Sequence, residues 1–344
     1  MIRVSVVGGS GYLGGELIRL LLGHPRLEIT QVASRSQAGR PLDATNPNLR
    51  GFTDLRFVSP ERLGPSDALI CAAEDPQGPN LGALRRLAPV VVDCSPRLRL
   101  RDPDRYRHWY RGPAPRAETL GEAVYGLPEL DRERLRQARL ASGVGCSAAA
   151  TILALLPVFR AGWELDHPTC IEARFGSSAA GARPRSSSHH PERARAVRCF
   201  APNGHRHQAE VEQALGWTPE QLSYAGVAVE MVRGISVSAR CFLRRPVTRR
   251  TVLEAFLACY RHEPFVRLVA PGTGLHRHPD PRWLSGTNLC DVGFALDGSG
   301  RRLTVLAALD NLGKGGAGNA IQVLNCMLGL EEGSGLAFMG LHPL

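Results

Sequence analysis

Lysine is almost missing from this chain of 344 residues. Of its 42 basic residues only one, Lys314, is a lysine, and the others are arginines. The formal net charge of +10 would by itself allow a nucleic-acid partner. However, the sequence has no basic tail, no zinc-finger spacing and no interleaved aromatic and basic residues such as single-strand binders use. We therefore expect no nucleic-acid binding, whereas an acidic protein or a phosphorylated substrate would suit the charge.

Long apolar runs, signal-peptide features and paired cysteines are missing as well. No apolar run approaches the ~20 residues that a membrane helix needs, and the N-terminus has no cleavage pattern. We expect a cytoplasmic protein that does not span a membrane. The nine cysteines are widely spread and include no C-x-x-C pair. Neither a zinc knuckle nor a disulfide framework is indicated, and we expect no metal.

The first 145 residues alternate short apolar runs with helical or loop segments. Continuous β-branched runs are typical of strands that are covered on both faces of a parallel sheet. The pattern therefore predicts a Rossmann-like, doubly wound α/β domain. Its strands are expected at 2–8, 28–34, 55–58, 67–73, 89–95 and 139–145.

The pattern changes after Cys146. Long, partly alternating segments at 224–245 and 289–310 predict strands, and a DGSG turn at 297–300 predicts a hairpin. Helices are expected over 147–162, 205–216, 251–263 and 318–330. We predict a second α+β domain with a mostly antiparallel sheet. The expected limits are 1–146 for the nucleotide-binding domain, 147–312 for a catalytic and dimerisation domain, and 313–344 for a C-terminal helix that returns to the first domain.

A glycine loop, GGSGYLGG, connects the first strand to a helix. Its spacing is G-x-x-G-x-x-G rather than the usual G-x-G-x-x-G, but glycines still let the backbone approach a pyrophosphate at a helix N-terminus. Alone the loop is a weak signal, and its place between strand and helix makes it a dinucleotide site. The candidate residues are Gly8, Ser10, Gly11, Tyr12, Leu13 and Gly14.

The end of the second strand selects the cofactor. An NAD site usually has an acidic residue there, roughly twenty residues after the loop, to bind the ribose 2′-hydroxyl. This chain instead has Ser34, Arg35 and Ser36. Two hydroxyls and a guanidinium suit a 2′-phosphate, so NADP(H) is the expected cofactor.

Cys146 lies between small residues in GVGCSAAAT, before a predicted helix. A cysteine is most often a small core hydrophobe. At a helix start, however, the helix dipole favours the thiolate, and small neighbours leave room for a tetrahedral intermediate. These residues allow a nucleophile, and the remaining motifs must decide between the two interpretations.

Two histidines follow in GHRHQAEVEQ. His205 and His207 precede Glu210 at a predicted helix start, where a carboxylate could orient one ring for general acid–base chemistry. The preceding stretch from Arg183 to His207 holds six arginines, four histidines and one acid, Glu192. It is either a solvated loop or an anion-binding surface, and the residues alone favour neither.

Together these motifs resemble the N-acetyl-γ-glutamyl-phosphate reductases, relatives of aspartate-semialdehyde dehydrogenase. GGSGYLG, SRS, VYGLPEL, GVGCSAAAT, GHRHQAEVEQ and DNLGKGGAGNAIQ occur in the family's order along the whole chain. The long basic loop is closer to the branch that acts on α-aminoadipyl 6-phosphate bound to an amino-group carrier protein in lysine biosynthesis. The resemblance implies NADPH-dependent reduction of an acyl phosphate to a semialdehyde, by an enzyme that forms dimers or tetramers.

The resemblance also implies roles for individual residues. Cys146 would be the nucleophile, with His205, His207 and Glu210 as the acid–base group. Asn311, Lys314 and Gly315 match a late loop that closes on the cofactor. The candidate substrate-binding residues are Arg99, Ser178, Arg183, His189, His190 and Arg193. An acidic carrier protein would meet the loop arginines, namely Arg183, Arg185, Arg193, Arg195 and Arg198.

Two segments depart from the family pattern. AAEDPQG (72–78) replaces a Pro-His-Gly motif, and DCSPRLRL (93–100) replaces DLSADFRL while keeping Arg99. Both bear on the substrate, so alternatives stay open. They are an arginine-pathway reductase that uses free N-acetyl-γ-glutamyl phosphate, an aspartate-semialdehyde dehydrogenase, and a nucleotide-sensing protein without activity.

Overall fold

The six apolar runs of the first half form one parallel sheet in the computed structural model. All neighbouring strands are parallel, and their order across the sheet is β3-β2-β1-β4-β5-β6. This confirms the predicted doubly wound sheet. In chain order the elements are β1 (Ile2–Val7), α1 (Tyr12–Leu22), β2 (Leu27–Ala33), β3 (Phe57–Val58), β4 (Ala68–Cys71), α2 (Leu81–Leu87), β5 (Val90–Asp93), α3 (Pro103–Tyr110), α4 (Ala117–Glu122), α5 (Pro128–Gln137) and β6 (Leu140–Ser142).

The chain reverses its direction of progress across this sheet between β1 and β4. Every residue of β4 and β5 is buried, as expected for inner strands covered on both faces. Gly8 follows β1 with a φ of +82°, and a Cβ there would lie 2.7 Å from the backbone nitrogen of Ala73. A glycine is therefore required at this switch point, where doubly wound sheets bind their ligands.

The structure describes residues 1–73 and 80–343, which divide into two compact units. The first unit is Met1–Val144 with Gly316–Ala337, and the second is Gly145–Gly315 with Phe338–Leu344. A helix over Gly318–Met327 belongs to the first unit and packs against α5 and α1. Within the described residues, no helix combines the length and the hydropathy of a membrane span.

The second unit is built on a seven-stranded mixed sheet. Its elements in chain order are α6 (Cys146–Arg160), β7 (Thr169–Phe175), α7 (His190–Arg193), β8 (Val197–Ala201), α8 (Arg206–Leu215), β9 (Leu222–Val229), β10 (Ile235–Phe242), α9 (Arg249–Tyr260), β11 (Val266–Leu268), β12 (Cys290–Leu296) and β13 (Arg302–Leu309). The helix Gly318–Met327 of the first unit is α10.

The strand order of this second sheet is β11-β12-β13-β10-β7-β9-β8. Four neighbouring pairs are antiparallel, and β7–β9 and β11–β12 are parallel. The prediction of a mostly antiparallel sheet is confirmed, and so is the β12–β13 hairpin. The sequence pattern did not reveal β7, β8 or β11. β11 has only three residues and no residue of β8 is buried, whereas β7 alternates regularly and could have been noticed.

Helix α6 is the centre of the second unit. All residues from Ser147 to Val158 are buried, and the helix packs against β10, β13 and α8. A helix that is apolar all round must be covered on every side. The core therefore fixes the helix, and Cys146 occupies its first position, directly before the buried stretch.

Candidate active site

Cys146 differs from the structural cysteines in its surroundings. It is half-buried at the first position of α6, and the preceding Gly145 provides no side-chain cap. The helix dipole and the unpaired N–H groups of a first helical turn therefore favour a negative charge at this end of α6. By contrast, burial raises the pKa of the Cys71 and Cys241 thiols to about 12. Those two are inert core residues, whereas Cys146 has the setting of a reactive thiol.

The turn before Cys146 is surrounded by polar groups at close range. Glu210 is fully buried, and its Oε2 accepts a hydrogen bond of 2.8 Å from the Gly145 amide. A Cβ on Gly145 would lie 2.5 Å from Glu210 Oε1 and 2.7 Å from His207 Nε2. On Gly315 it would lie 2.8 Å from the Cys146 Cβ. Only glycines let these side chains approach the thiol.

The two predicted histidines have different roles in the structure. His205 is the N-cap of α8, where its Nδ1 accepts a hydrogen bond of 3.2 Å from the His207 amide. His207 is 4% exposed, and its Nδ1 is 2.8 Å from Ser147 Oγ. The two rings meet edge to face at 4.6 Å. The structure thus brings the predicted catalytic residues together, and the Glu210 carboxylate accepts its hydrogen bond from the Gly145 backbone.

Three residues that the sequence did not single out as catalytic complete this group, namely Ser147, Thr151 and Tyr224. The Tyr224 hydroxyl donates a hydrogen bond of 2.8 Å to Ser147 Oγ, and both side chains are fully buried. Thr151, one turn along α6, donates to the Ser147 carbonyl. Ser147 stood next to the cysteine and could have been noticed. Tyr224 is 77 residues away, and only the pairing of β9 with β7 brings it close.

The late loop and the segment after β7 are joined. Asn311 Oδ1 accepts a hydrogen bond of 2.8 Å from the Gly234 amide, and Asn311 Nδ2 donates to Ser178 Oγ at 3.0 Å. Lys314 is completely buried beside the Phe265 ring. Asn311 was predicted to bind the cofactor and Ser178 the substrate, and the two side chains form one hydrogen-bond network. Lys314, predicted for the cofactor, has its side chain buried within the second unit.

The basic segment from Arg183 to Arg198, called the arginine loop below, contains two kinds of residue. Arg193 donates a hydrogen bond of 2.7 Å to the Phe175 carbonyl, and the Phe175 ring is 5.3 Å from the His205 ring. Arg198 donates to the carbonyls of Ser187 and Glu192. These two arginines hold the loop in place. The exposed members are Arg183, Arg185, His189, His190 and Arg195.

The predicted cofactor residues cluster within the first unit. Ser10 Oγ in the glycine loop is 2.8 Å from Ser34 Oγ at the end of β2, and Arg35 and Ser36 follow on the surface. A Cβ on Gly11 would meet only the Gly8 carbonyl, at 3.8 Å. The space before the α1 N-terminus is therefore open to a phosphate. On Gly14, by contrast, a Cβ would lie 2.3 Å from that carbonyl. Tyr12 and Leu13 form the first turn of α1. These residues fit a dinucleotide.

The two segments that depart from the family pattern lie at the C-terminal ends of strands β4 and β5. Arg97 forms an ion pair with Asp93, which is fully buried, and Arg97 Nη2 is 3.6 Å from Cys71 Sγ. Arg99 is buried and donates to the Cys94 carbonyl at 2.9 Å. The charge of the unusual Arg97 is thus paired with Asp93, the last residue of β5. Residues 74–78 of the other departing segment lie outside the described residues.

Comparison with known proteins agrees with this arrangement. The NAD binding domain of semialdehyde dehydrogenases matches residues 3–138, and their dimerisation domain matches residues 146–311. The fold and these two matches define an NAD(P)-binding oxidoreductase, and the chain belongs to the semialdehyde dehydrogenase family. A crystal structure of aspartate semialdehyde dehydrogenase II from Vibrio cholerae shares the fold, with a TM-score of 0.66 at 16% identity, covering 95% of this chain and 98% of that one.

Relatives with higher identity are more specific. The [LysW]-L-2-aminoadipate 6-phosphate reductase of Deinococcus radiodurans is 44% identical, over 99% of this chain and 98% of its own. The [LysW]-L-2-aminoadipate/[LysW]-L-glutamate phosphate reductase of Sulfurisphaera tokodaii is 39% identical over the full length of both. The resemblance to phosphate reductases is therefore confirmed, and the likeness covers both units.

The structural role of His205 leads to a prediction about pH. Burial, and then the charge of Arg206, lower the pKa of His205 from 6.5 to about 4. Between these two pH values the unfolded chain binds a proton that the folded chain does not. The free energy of unfolding is therefore higher above pH 6.5, by up to about 3 kcal/mol, and this contribution is lost as the pH falls towards 4. His205→Asn keeps a helix cap without the titration. Between pH 6.5 and pH 4, urea unfolding should show a smaller loss of unfolding free energy for the variant than for the wild type. Equal losses in the two proteins would contradict the prediction.

Proposed function

We propose that this chain is a [LysW]-L-2-aminoadipate 6-phosphate reductase that uses NADPH. The observation that carries the proposal is the thiol of Cys146 at the first position of a buried helix, with Glu210 and His207 packed against Gly145 beside it. This arrangement suits nucleophilic attack on an activated carboxyl group. The names of the full-length relatives support an acyl phosphate on a carrier protein as that group.

The chemistry follows from the groups of the second unit. The Cys146 thiolate attacks the acyl carbon, the carbon–oxygen bond to phosphate breaks with its electron pair leaving on phosphate, and a thioester remains. N–H groups of the first turn of α6 stabilise the oxyanion. When bound, NADPH supplies the hydride that reduces the thioester carbon. The tetrahedral alkoxide that results collapses to the semialdehyde and expels the Cys146 thiolate.

His207 rather than His205 is the residue that we assign to the reacting oxygen. The ring edge of His207 lies at Gly145, whereas His205 uses its Nδ1 to cap α8. From that place His207 donates a hydrogen bond as negative charge develops on the carbonyl oxygen. Glu210 holds the Gly145 amide and so keeps the turn before Cys146 in place.

The cofactor preference is assigned to the surface at the end of β2. Ser34 is tied to the glycine loop through Ser10, and Arg35 and Ser36 extend beside it. A guanidinium with hydroxyl donors binds a 2′-phosphate better than a ribose hydroxyl. The match to a dimerisation domain further supports a homo-oligomer that is at least a dimer.

The arginine loop is assigned to an acidic carrier protein. Arg183, Arg185 and Arg195 are exposed, and Arg193 connects the loop to β7 next to the histidines. Electrostatic complementarity raises the association rate and the specificity for such a partner. A second substrate, the phosphate of LysW-bound glutamate, is favoured by the name of the Sulfurisphaera tokodaii relative.

Cys146→Ser tests the covalent step. We expect turnover to fall by more than about a hundredfold, because an alcohol at this place is a far weaker nucleophile than a thiolate. NADPH binding and the melting temperature should stay close to those of the wild type. The rate of NADPH oxidation with acyl phosphate measures the effect. Retention of more than about a hundredth of the rate would remove the thioester from the mechanism.

Arg35→Asp tests the cofactor assignment. The substitution replaces a partner of the 2′-phosphate by an acceptor for the ribose hydroxyl, so preference should shift from NADPH towards NADH. The ratio of kcat/KM for the two cofactors is the measurement, with Arg26→Glu as a charge control elsewhere on the same unit. An unchanged ratio would place the phosphate contact on other residues.

Charge reversal on the loop tests the carrier. Arg185→Glu with Arg195→Glu alters exposed positions and spares Arg193, which holds the loop. We expect a raised KM for carrier-bound acyl phosphate, a smaller change in kcat and a weaker dependence of kcat/KM on salt. The matched control reverses two exposed arginines elsewhere on the second unit, Arg245→Glu with Arg261→Glu.

A free acyl phosphate provides the second arm of this experiment. It needs few anion contacts, so the loop variant should reduce its kcat/KM much less than that of the carrier-bound substrate. Equal losses on both substrates would mean that the loop belongs to the substrate pocket itself. The arginine-pathway reaction on free N-acetyl-γ-glutamyl phosphate would then be the better assignment.

A further inference from the structure

A buried chain of hydroxyl groups runs from β9 to the His207 ring. The Tyr224 hydroxyl donates to Ser147 Oγ at 2.8 Å, and Ser147 Oγ is 2.8 Å from His207 Nδ1. Tyr224 and Ser147 are completely buried, and His207 nearly so. Such a chain has a direction, because each hydroxyl has a single proton to donate.

The direction of this chain determines the tautomer of His207. Since Ser147 Oγ accepts from Tyr224, its own proton is directed to His207 Nδ1. The reverse direction would send the Tyr224 proton to Thr151 Oγ1, which is 3.4 Å away and already donates to the Ser147 carbonyl. That arrangement is weaker. Burial also raises the pKa of Tyr224 and keeps it a neutral donor.

We propose that Tyr224 and Ser147 are positioning residues that hold His207 in the tautomer with its proton on Nε2. Nε2 is the ring atom next to Gly145, 2.7 Å from where a Cβ of Gly145 would lie. The neutral ring therefore presents a fixed N–H donor beside Cys146, and no proton transfer is needed to prepare it. The inference rests on the proposed function only in the choice of the group that receives this donor.

Other charges around His207 must be held constant in any test. Among the described residues, the titratable or charged groups near the ring include Cys146 at the start of α6, Tyr224 on β9, and His205, Arg206 and Glu210 on α8 or at its cap. Tyr224→Phe removes only the Tyr224 hydroxyl and leaves the other groups in place. It is therefore the sharpest variant.

Nitrogen-15 NMR of the imidazole rings measures the tautomer directly in the full-length enzyme without substrate. In the wild type we expect His207 Nδ1 to show the shift of an unprotonated acceptor and Nε2 that of a protonated nitrogen. In Tyr224→Phe and in Ser147→Ala this preference should be lost. In Tyr224→Phe the acid limb of the kcat profile should move to higher pH, because Ser147 can then accept from a protonated ring.

Steady-state kinetics provide the second readout. Both variants should lower kcat for the acyl phosphate about tenfold or more while the KM for NADPH stays within about twofold, as expected when a transition-state donor is misaligned. The double variant should be no worse than Ser147→Ala, because the two residues act through one chain. Ser147→Ala keeps the test open if Tyr224→Phe fails to fold.

Tyr260→Phe is the matched control. Tyr260 is also buried in the second unit, and its hydroxyl donates to the Leu153 carbonyl on the same helix α6. It should leave the tautomer and the pH profile unchanged. A proton on His207 Nδ1 in the wild type, or equal effects of Tyr224→Phe and Tyr260→Phe, would overturn the inference. A wild type without reductase activity would overturn the proposed function instead, since the tautomer is measured without substrate.

Discussion

The hydrogen bond between the Gly145 amide and the Glu210 carboxylate is the contact around which the active site is built. It connects the residue before α6 to the second turn of α8, and it places a fully buried carboxyl group against the turn that precedes Cys146. A buried carboxylate is tolerated only when hydrogen bonds satisfy it. The turn at Gly145 therefore supplies a partner to Glu210, and Glu210 in return fixes the direction in which α6 presents Cys146.

The same end of α6 shows why the site cannot be separated from the core. Ser147 and Thr151 are the polar residues of the otherwise apolar stretch 147–158 of α6, and they are buried together with Tyr224. Buried hydroxyls cost free energy unless they are paired, so their network specifies how α6 and β9 pack. The packing that stabilises the second unit and the orientation of the His207 ring thus depend on one set of contacts.

The abundance of arginine has more than one structural outcome. Arg193 and Arg198 use their guanidinium groups to bind backbone carbonyls and hold an irregular loop. Arg97 and Arg233 pair with the fully buried acids Asp93 and Asp310. A guanidinium suits such places because it offers several donors in one plane. The net charge alone therefore overstates how much of the surface is available to an acidic partner.

The sequence by itself determined the class of fold and the order of the six parallel strands along the chain, and it singled out Cys146 as the candidate nucleophile. These follow from local signals, namely apolar periodicity, a glycine loop after β1 and a cysteine before a helix. It could not distinguish His205 from His207, because both stand at the same helix start. Only the tertiary structure separates them, since one ring caps α8 while the other meets Ser147. It alone brings in Tyr224, because strand pairing between distant segments is invisible to local patterns.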